Sequence, residues 1–143
     1  MNLSQEQKEM LVAQALRVRS NAYAPYSNYA VGSAVLSDNG EIYDGVNVEN
    51  AAYGSAMCAE RTAIFKAVAN GERKIQALAV VTQTGAFPCG ACRQVLSEFS
   101  QETIIIVAND SGEILHETTL VELLPHSFGP EDLGKKPKSE NHG

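Results

Sequence analysis

Two short segments, Cys58-Ala59-Glu60 and Pro88-Cys89-Gly90-Ala91-Cys92, hold the only three cysteines of this chain. Two cysteines separated by two residues can bind one metal ion from the first turn of a helix, and a cysteine at another helix start can complete a set of three. Zinc sites with three protein ligands keep a fourth position open and are typically catalytic. Glu60 lies two residues after Cys58, so its carboxylate is predicted to handle protons beside that open position.

Both cysteine segments are predicted to lie where a helix begins, and this placement favours thiolates. Unpaired backbone N–H groups and the positive end of the helix dipole stabilise a negative sulfur there. Three thiolates on one zinc ion leave a net charge of about −1 before a fourth ligand binds. Arg61 directly follows Glu60, and Arg93 directly follows Cys92. Our hypothesis is that Arg61, and also Arg93, donates hydrogen bonds to the sulfurs and offsets this charge.

The rest of the chain is predicted to alternate between helices and strands. Ser4 and Gln7 form a capping-box pattern at the start of a first helix, and Asn39-Gly40 is a typical hairpin turn between two strands. In order, we predict a helix over 4–22, strands over 30–36 and 41–48, a helix over 57–69, a strand over 75–82, a helix from about residue 89, strands over 103–108 and 113–116, and a final helical turn over 119–124. This order predicts an α/β sheet with helices on its faces.

Length and composition limit the classes of function. The 143 residues suit one domain, which we predict over 1–133, followed by a disordered polar tail over 134–143. A net charge of -6 argues against a nucleic-acid groove, which needs a basic face. No apolar run reaches the roughly 20 residues of a membrane span, and the polar N-terminus lacks the apolar core of a signal peptide. We therefore expect a cytoplasmic protein whose cysteines bind metal or react rather than form disulfides.

From the residues alone, two other interpretations of the cysteines stay open. Cys89 and Cys92 could be a redox pair that opens a helix, although this leaves the segment around Cys58 unexplained. The three cysteines could also form a purely structural zinc site, although such a site usually has a fourth Cys or His ligand. The three histidines of the chain are expected to be polar surface residues rather than ligands.

The two cysteine segments, extended to Cys58-Ala59-Glu60-Arg61 and Pro88-Cys89-Gly90-Ala91-Cys92-Arg93-Gln94, resemble the zinc motif of the small, homotetrameric class of cytidine deaminases. Zinc deaminases include a three-cysteine variant in which a glutamate that is not a ligand acts as acid and base. The stretches 24–32, 47–53 and 124–130 are similar to the family's segment after its first helix, its ribose-binding segment and its C-terminal segment. The resemblance covers roughly residues 5 to 133.

The resemblance implies a fold and a reaction. The fold is a three-layer α/β/α arrangement with a mixed five-stranded sheet. The reaction is zinc-dependent hydrolytic deamination of cytidine and deoxycytidine to uridine and deoxyuridine, with release of ammonia, as in pyrimidine salvage. The resemblance also implies one zinc ion per chain, a free nucleoside as substrate, no nucleic-acid or membrane partner, and a homotetramer whose active sites are shared between subunits.

The resemblance further implies a role for each matching residue. Cys58, Cys89 and Cys92 bind zinc, and Glu60 carries protons. Asn47 and Glu49 hold the ribose hydroxyls, the backbone around Ala59 contacts the pyrimidine, and Tyr29 packs on the ring. Three further residues approach an active site from neighbouring subunits: Ala51, Tyr53 and Phe128, of which Phe128 stacks on the base.

Two positions depart from the family pattern. Tyr29 stands where the family usually has Phe, so its hydroxyl needs a partner and ring packing there could differ. Gly54-Ser55-Ala56-Met57 is smaller and more polar than the family's usual apolar segment before the first cysteine, which could loosen packing behind the zinc.

Two alternative functions accompany this resemblance. Deaminases of nucleoside-like antibiotics such as blasticidin S use the same chemistry, but that relative lacks the pair formed here by Asn47 and Glu49. A non-catalytic zinc or redox module is the other alternative.

Overall fold

The computed structural model describes residues 3–135 of the chain. Its helices and strands are α1 (Gln5–Val18), β1 (Gly32–Ser37), β2 (Ile42–Val46), α2 (Ala59–Ala69), β3 (Ile75–Val81), α3 (Gly90–Ser97), β4 (Ile104–Ala108), β5 (Ile114–Thr119) and α4 (Leu120–Leu123), with short 3-10 helices at Arg19–Asn21, Tyr53–Ser55 and Pro130–Leu133. The predicted capping box begins α1, because the Ser4 hydroxyl accepts the Gln7 N–H at 3.1 Å and the Gln7 side chain accepts the Ser4 N–H at 2.9 Å.

The strands form one mixed sheet in the order β2-β1-β3-β4-β5. β3 and β4 run parallel, and the other neighbouring pairs are antiparallel. The β1–β2 hairpin turns at the predicted Asn39-Gly40, where Gly40 has a φ of 91° that glycine adopts without steric cost. β4 is buried along its whole length, as expected of a central strand that is covered on both faces.

Helices cover both faces of this sheet. On one face, Leu11 and Ala15 of α1 pack on a cluster of strand residues rich in alanine. On the other face, Ile64 of α2, Leu96 of α3 and Leu120 of α4 share a second buried cluster. Successive strand residues point to opposite faces, so β1, β3 and β4 contribute to both clusters. The three layers and the mixed sheet confirm the predicted fold.

Close backbone contact fixes where α2 lies on the sheet. A Cβ atom added to Gly45 of β2 would lie 2.5 Å from the Ala63 nitrogen and 2.7 Å from the Ala59 carbonyl oxygen. The first two turns of α2 therefore rest directly on the main chain of β2, which only a residue without a side chain permits. Because α2 begins at Ala59, this contact also fixes the position of the residues that start the helix.

Two element boundaries differ from the sequence-based prediction for local reasons. α1 ends at Val18, four residues before the predicted end, and the 3-10 turn Arg19–Asn21 follows it. β5 continues to Thr119, three residues beyond the predicted end, because its pairing with β4 persists up to the pair Ile104↔Thr119. α4 therefore occupies only Leu120–Leu123.

The start of α2 and the C-terminal segment also differ from prediction. The helix predicted from residue 57 begins at Ala59, because Met57 instead pairs with Val48 in an isolated antiparallel bridge. The predicted disordered tail, 134–143, starts inside the described part of the chain, where the Lys135 N–H donates to the Pro130 carbonyl at 2.9 Å. Its remainder, 136–143, lies outside the described residues. Between residues 3 and 135, no helix combines the length and apolar character needed to span a membrane.

Candidate metal centre and adjoining cavity

The candidate site lies at one end of the sheet, where three strand ends meet. Gly32, the first residue of β1, pairs with Val46 at the end of β2 and with Val81 at the end of β3. The chain leaving β2 and the chain leaving β3 therefore run past the start of β1 on either side. Each of these two chain segments leads to a helix that starts with a cysteine.

The cysteines occupy the first positions of two helices, as the sequence predicts. Cys58 is the N-cap of α2 and Cys89 is the N-cap of α3. Cys92 lies in the first turn of α3 and is 1% exposed. Backbone N–H groups that lack an intrahelical acceptor point toward this region from both helices, so the sulfurs lie where negative charge is stabilised.

The spacing of the three sulfurs fits one zinc ion. Sγ of Cys89 lies 3.7 Å from Sγ of Cys58 and 3.4 Å from Sγ of Cys92, and all three lie within 4.8 Å of one another. Sulfurs bound to a tetrahedral zinc at about 2.3 Å lie about 3.8 Å apart. No disulfide joins them. The donor set and its spacing therefore match a single zinc ion with one position left for a fourth ligand.

Glu60 places a buried carboxyl group beside the sulfurs. Its side chain is 5% exposed, and burial raises its pKa to about 7, since a low-dielectric environment disfavours the charged form. A hydrogen bond with Cys92 and the nearby Arg61 lower the pKa of the Cys58 thiol to about 5, against the opposing effect of burial. The site thus combines a stabilised thiolate with a carboxyl group whose pKa lies near neutrality.

The two arginines next to the motif make different contacts. Nη2 of Arg61 donates a hydrogen bond to Sγ of Cys58 at 3.5 Å, and its buried Nε has no hydrogen-bond partner among residues 3–135. Arg93 instead bonds main-chain carbonyl groups: its Nε donates to the Pro88 carbonyl at 2.7 Å and its Nη1 to the Leu123 carbonyl at 3.0 Å. Its hydrogen bonds therefore hold the loop before Cys89 rather than the thiolates.

A cavity of about 420 Å³ opens beside the sulfurs. Eight of the residues singled out from the sequence line it: Tyr29, Asn47, Glu49, Cys58, Ala59, Glu60, Arg61 and Cys89. The structure adds lining residues to which the sequence analysis gave no role in ligand contact: Ser27, Val31, Ala56, Met57, Val80, Thr82, Ala86 and Phe87. The cavity therefore joins the cysteine segments to residues from before β1 and after β2, with mostly apolar walls between them.

Asn47 and Glu49 face this cavity and also bind the loop before β1. Oδ1 of Asn47 accepts the Val31 N–H at 2.8 Å, and Nδ2 donates to the Tyr29 carbonyl at 2.8 Å. Oε1 of Glu49 accepts the Tyr26 N–H at 2.9 Å. Both side chains therefore have a structural task in addition to any contact with a ligand.

Three predicted substrate-contact residues lie outside this cavity in the single chain. Ala51 is exposed, and Tyr53 and Phe128 are 75% and 59% exposed. Tyr53 lines a second, adjoining cavity of about 340 Å³ and meets the ring of Tyr26 edge-on, with the ring centroids 5.8 Å apart. The Phe128 carbonyl accepts a hydrogen bond from Nε2 of Gln94 at 2.9 Å, which anchors its segment to α3.

Phe87 is the most prominent lining residue that the sequence analysis missed. It lies directly before Pro88 and packs against His116 of β5, with ring centroids 5.0 Å apart. No local pattern marks it, because its partner lies 29 positions later on an edge strand.

We expect from the sequence that the Tyr29 hydroxyl has a hydrogen-bond partner. Tyr29 is 40% exposed, so water can supply this partner.

The fold and the site together define a class of protein. A glutamate two residues after the first cysteine, followed by a Pro-Cys-x-x-Cys segment, is the signature of zinc deaminases, and here both segments converge at one end of a three-layer α/β/α sheet. The sequence model of the cytidine and deoxycytidylate deaminase zinc-binding region matches residues 5–108. The chain therefore belongs to the cytidine and deoxycytidylate deaminase family, as the resemblance predicted.

Individual relatives agree with this assignment over nearly their whole lengths. The cytidine deaminase of Sporosarcina psychrophila is 49% identical over 128 residues, which are 87% of this chain and 93% of that protein. The cytidine deaminase of Halalkalibacterium halodurans is 46% identical over 88% of this chain and 97% of that protein. The crystal structure of cytidine deaminase from Burkholderia pseudomallei matches with a TM-score of 0.80 and 41% identity, covering 88% of this chain and 100% of that chain. These relatives do not favour the antibiotic deaminase or the non-catalytic module.

Proposed function

We propose that this protein is a zinc-dependent cytidine deaminase that converts cytidine and deoxycytidine to uridine and deoxyuridine and releases ammonia. The observation that carries the proposal is the buried carboxyl group of Glu60, which shares one cavity with the sulfurs of Cys58 and Cys89 and with the polar side chains of Asn47 and Glu49. The names and high coverage of the relatives support the same activity.

Cys58, Cys89 and Cys92 would hold the zinc ion. Bound zinc supplies Lewis-acid activation of water in such sites. Arg61 donates to Sγ of Cys58 and so offsets part of the negative charge of three thiolates, which would otherwise weaken that activation. Arg93 acts less directly, because it fixes the carbonyl of Pro88 and thereby the approach to Cys89.

Glu60 is the proton carrier in this proposal. Water adds to C4 of the cytosine ring, and the Glu60 carboxylate takes the proton that the water gives up and delivers it to N3. The remaining hydroxyl proton then passes through Glu60 to the exocyclic amine, the C4–N bond breaks, and ammonia leaves as C4 becomes a carbonyl. A carboxyl group with a pKa of about 7 exchanges protons readily near neutral pH, which suits both transfers.

The other cavity residues bind and orient the nucleoside. Glu49 accepts hydrogen bonds from the ribose hydroxyls, and the side-chain amide of Asn47 donates to them. The main chain around Ala59, which starts α2, contacts the pyrimidine. Tyr29 also lines the cavity and packs on the pyrimidine ring. The acidic net charge of -6 suits a neutral nucleoside better than a phosphorylated one.

We also propose a homotetramer whose subunits complete one another's sites. The large exposed fractions of Tyr53 and Phe128, and the exposure of Ala51, support this proposal, because isolated aromatic side chains gain stability when a second chain covers them. A single domain over 1–133, a cytoplasmic location and a role in pyrimidine salvage stay predictions that accompany the proposed activity.

The decisive test is a turnover assay on purified protein with a parallel metal count. We expect cytidine absorbance to fall on addition of enzyme, about one zinc per chain, loss of turnover on chelation and recovery when zinc alone is returned. Blasticidin S in the same assay should be left largely unchanged. Full turnover after zinc has been removed would overturn the zinc-dependent mechanism, and turnover of blasticidin S in place of cytidine would overturn the substrate assignment.

A further inference from the structure

We propose that Ser27 is a positioning residue, which no cysteine or ribose motif marks, and that it fixes the carboxylate of Glu49 in the orientation that receives the ribose. The inference rests on the proposed function, because it concerns the same cavity. It adds a residue from the loop before β1 that is far from Glu49 in sequence, 22 positions away, and close to it in space.

Three donors from two consecutive residues hold the Glu49 carboxylate. Oε1 accepts the N–H groups of Tyr26 at 2.9 Å and of Ser27 at 3.1 Å. Oε2 accepts the hydroxyl of Ser27 in a short hydrogen bond. Because each carboxylate oxygen has two acceptor sites, Oε2 keeps one site free to accept a hydroxyl of the ligand, and the Ser27 hydroxyl sets the direction of that site.

The Ser27 hydroxyl also links this carboxylate to the other polar wall of the cavity. Its oxygen accepts the Tyr29 N–H at 3.0 Å, and the Tyr29 carbonyl in turn accepts the side-chain amide of Asn47 at 2.8 Å. Asn28, between them, adopts a φ of 58°, which asparagine tolerates better than most residues. One hydroxyl group therefore connects, through hydrogen bonds, the two side chains proposed to hold the ribose.

Fixing Glu49 matters because the carboxylate is only half-buried. A partly exposed glutamate side chain otherwise samples several rotamers, and a ligand that needs one of them must order the side chain on binding. The Ser27 bonds also lower the pKa of Glu49, so the group stays ionised and can only accept hydrogen bonds. A fixed, ionised acceptor selects ligands whose hydroxyl groups can donate hydrogen bonds to it.

The test compares Ser27→Ala with the native enzyme on two substrates, cytidine and 2′,3′-dideoxycytidine, which lacks the ribose 2′ and 3′ hydroxyls. We expect Ser27→Ala to raise the KM for cytidine about three- to tenfold, the effect of one lost hydrogen bond, with kcat nearly unchanged. The KM for the dideoxynucleoside should change little, so that the preference for cytidine falls by the same factor. Ser27→Thr, which keeps the hydroxyl, should restore most of the preference.

Ser20→Ala is the matched control, because it removes a hydroxyl that bonds only the Arg17 carbonyl away from the cavity, and it should leave both constants unchanged. An equal loss with both substrates, or a loss that Ser27→Thr does not rescue, would show that Ser27 supports only the loop and would overturn the inference. An unchanged preference in Ser27→Ala would overturn it as well. Failure of the native enzyme to deaminate cytidine would instead refute the proposed function itself.

Discussion

The cavity has two walls that are built in opposite ways. The metal wall, formed by Cys58, Glu60 and Cys89, comes from two helix starts, and Glu60 is only 5% exposed there. The rim, which includes Ser27 and Glu49, comes from loops held by hydrogen bonds between residues far apart in sequence. The difference shows that the chemistry of this site depends on short local motifs, whereas ligand selection depends on tertiary contacts.

Removing the acid of the metal wall should give the largest effect. Glu60→Gln keeps the size of the side chain but cannot carry a proton, so kcat should fall by about 10²- to 10⁴-fold, the usual contribution of acid–base catalysis. Zinc content should not change, because Glu60 is not one of the three sulfur ligands. The measurement is steady-state turnover of cytidine together with the number of zinc ions per chain.

Glu72→Gln is the matched control for that substitution. Glu72 is also a buried glutamate, 9% exposed, but it lies beyond the C-terminal end of α2, opposite the end that carries Cys58, and accepts the Tyr43 hydroxyl at 2.8 Å. A glutamine oxygen can accept the same bond, so turnover should stay close to native. Should Glu60→Gln retain turnover within about tenfold of native, the metal wall would lack its proton carrier and the contrast between the two walls would fail.

The next effect tests how α2 supports the metal wall. Gly45→Ala places a Cβ atom 2.5 Å from the Ala63 nitrogen, and neither backbone can yield without moving α2 on the sheet. We expect the free energy of unfolding to fall by about 1–3 kcal/mol, as for overpacked cores, with a weaker affinity for zinc. Gly54→Ala, whose added Cβ atom meets no atom within 4 Å, is the control. Chemical unfolding of the zinc-loaded proteins measures the free energy of unfolding of the two variants. Equal stabilities for the two variants would contradict the close contact.

The smallest effect is expected at Phe128, which lies outside the cavity of its own chain and is proposed to complete the cavity of a neighbouring subunit. Phe128→Ala should raise the KM for cytidine about three- to tenfold, because one aromatic stacking contact contributes about 0.5–1.5 kcal/mol. Phe65, another exposed phenylalanine, at 45%, serves as the control, and Phe65→Ala should leave KM unchanged. An unchanged KM in Phe128→Ala would assign this side chain to anchoring the C-terminal segment only.

Mixed assemblies can show whose site Phe128 serves. If Phe128 acts in a neighbouring subunit, mixing Glu60→Gln chains with Phe128→Ala chains creates sites that combine an intact Glu60 with an intact Phe128. Such mixtures should regain part of the native KM. If each chain supplies its own Phe128, no site in the mixture has both residues and the KM stays raised.

Local patterns predicted the fold and the metal wall well. Hydrophobic periodicity, the Asn39-Gly40 turn and the apolar run of β4 set the helices and strands to within a few residues. The cysteine spacing predicted which sulfurs meet, because a helix start presents residues from one turn at a single point. These properties depend on neighbours in the sequence, which a single chain displays directly.

The rim could not be predicted in the same way. Ser27 and Phe87 look like ordinary loop residues, and their partners Glu49 and His116 lie 22 and 29 positions away. Arg93 illustrates the same limit, since its adjacency to Cys92 suggested a bond to sulfur and its side chain turns instead to two carbonyl groups. Side-chain direction in such places is decided by the packing of distant elements.

The short helix α3 does two jobs, and this has a consequence for how the family can diverge. Its first turn presents Cys92. The next two residues bind the C-terminal segment, because Arg93 donates a hydrogen bond to the Leu123 carbonyl and Gln94 donates one to the Phe128 carbonyl. Natural selection on the metal and selection on the C-terminal segment therefore act on adjacent codons. Both acceptors are main-chain carbonyls, which every residue carries, so the side chains of the C-terminal segment can change to suit a new ligand while a helix of 8 residues keeps the backbone of that segment in place.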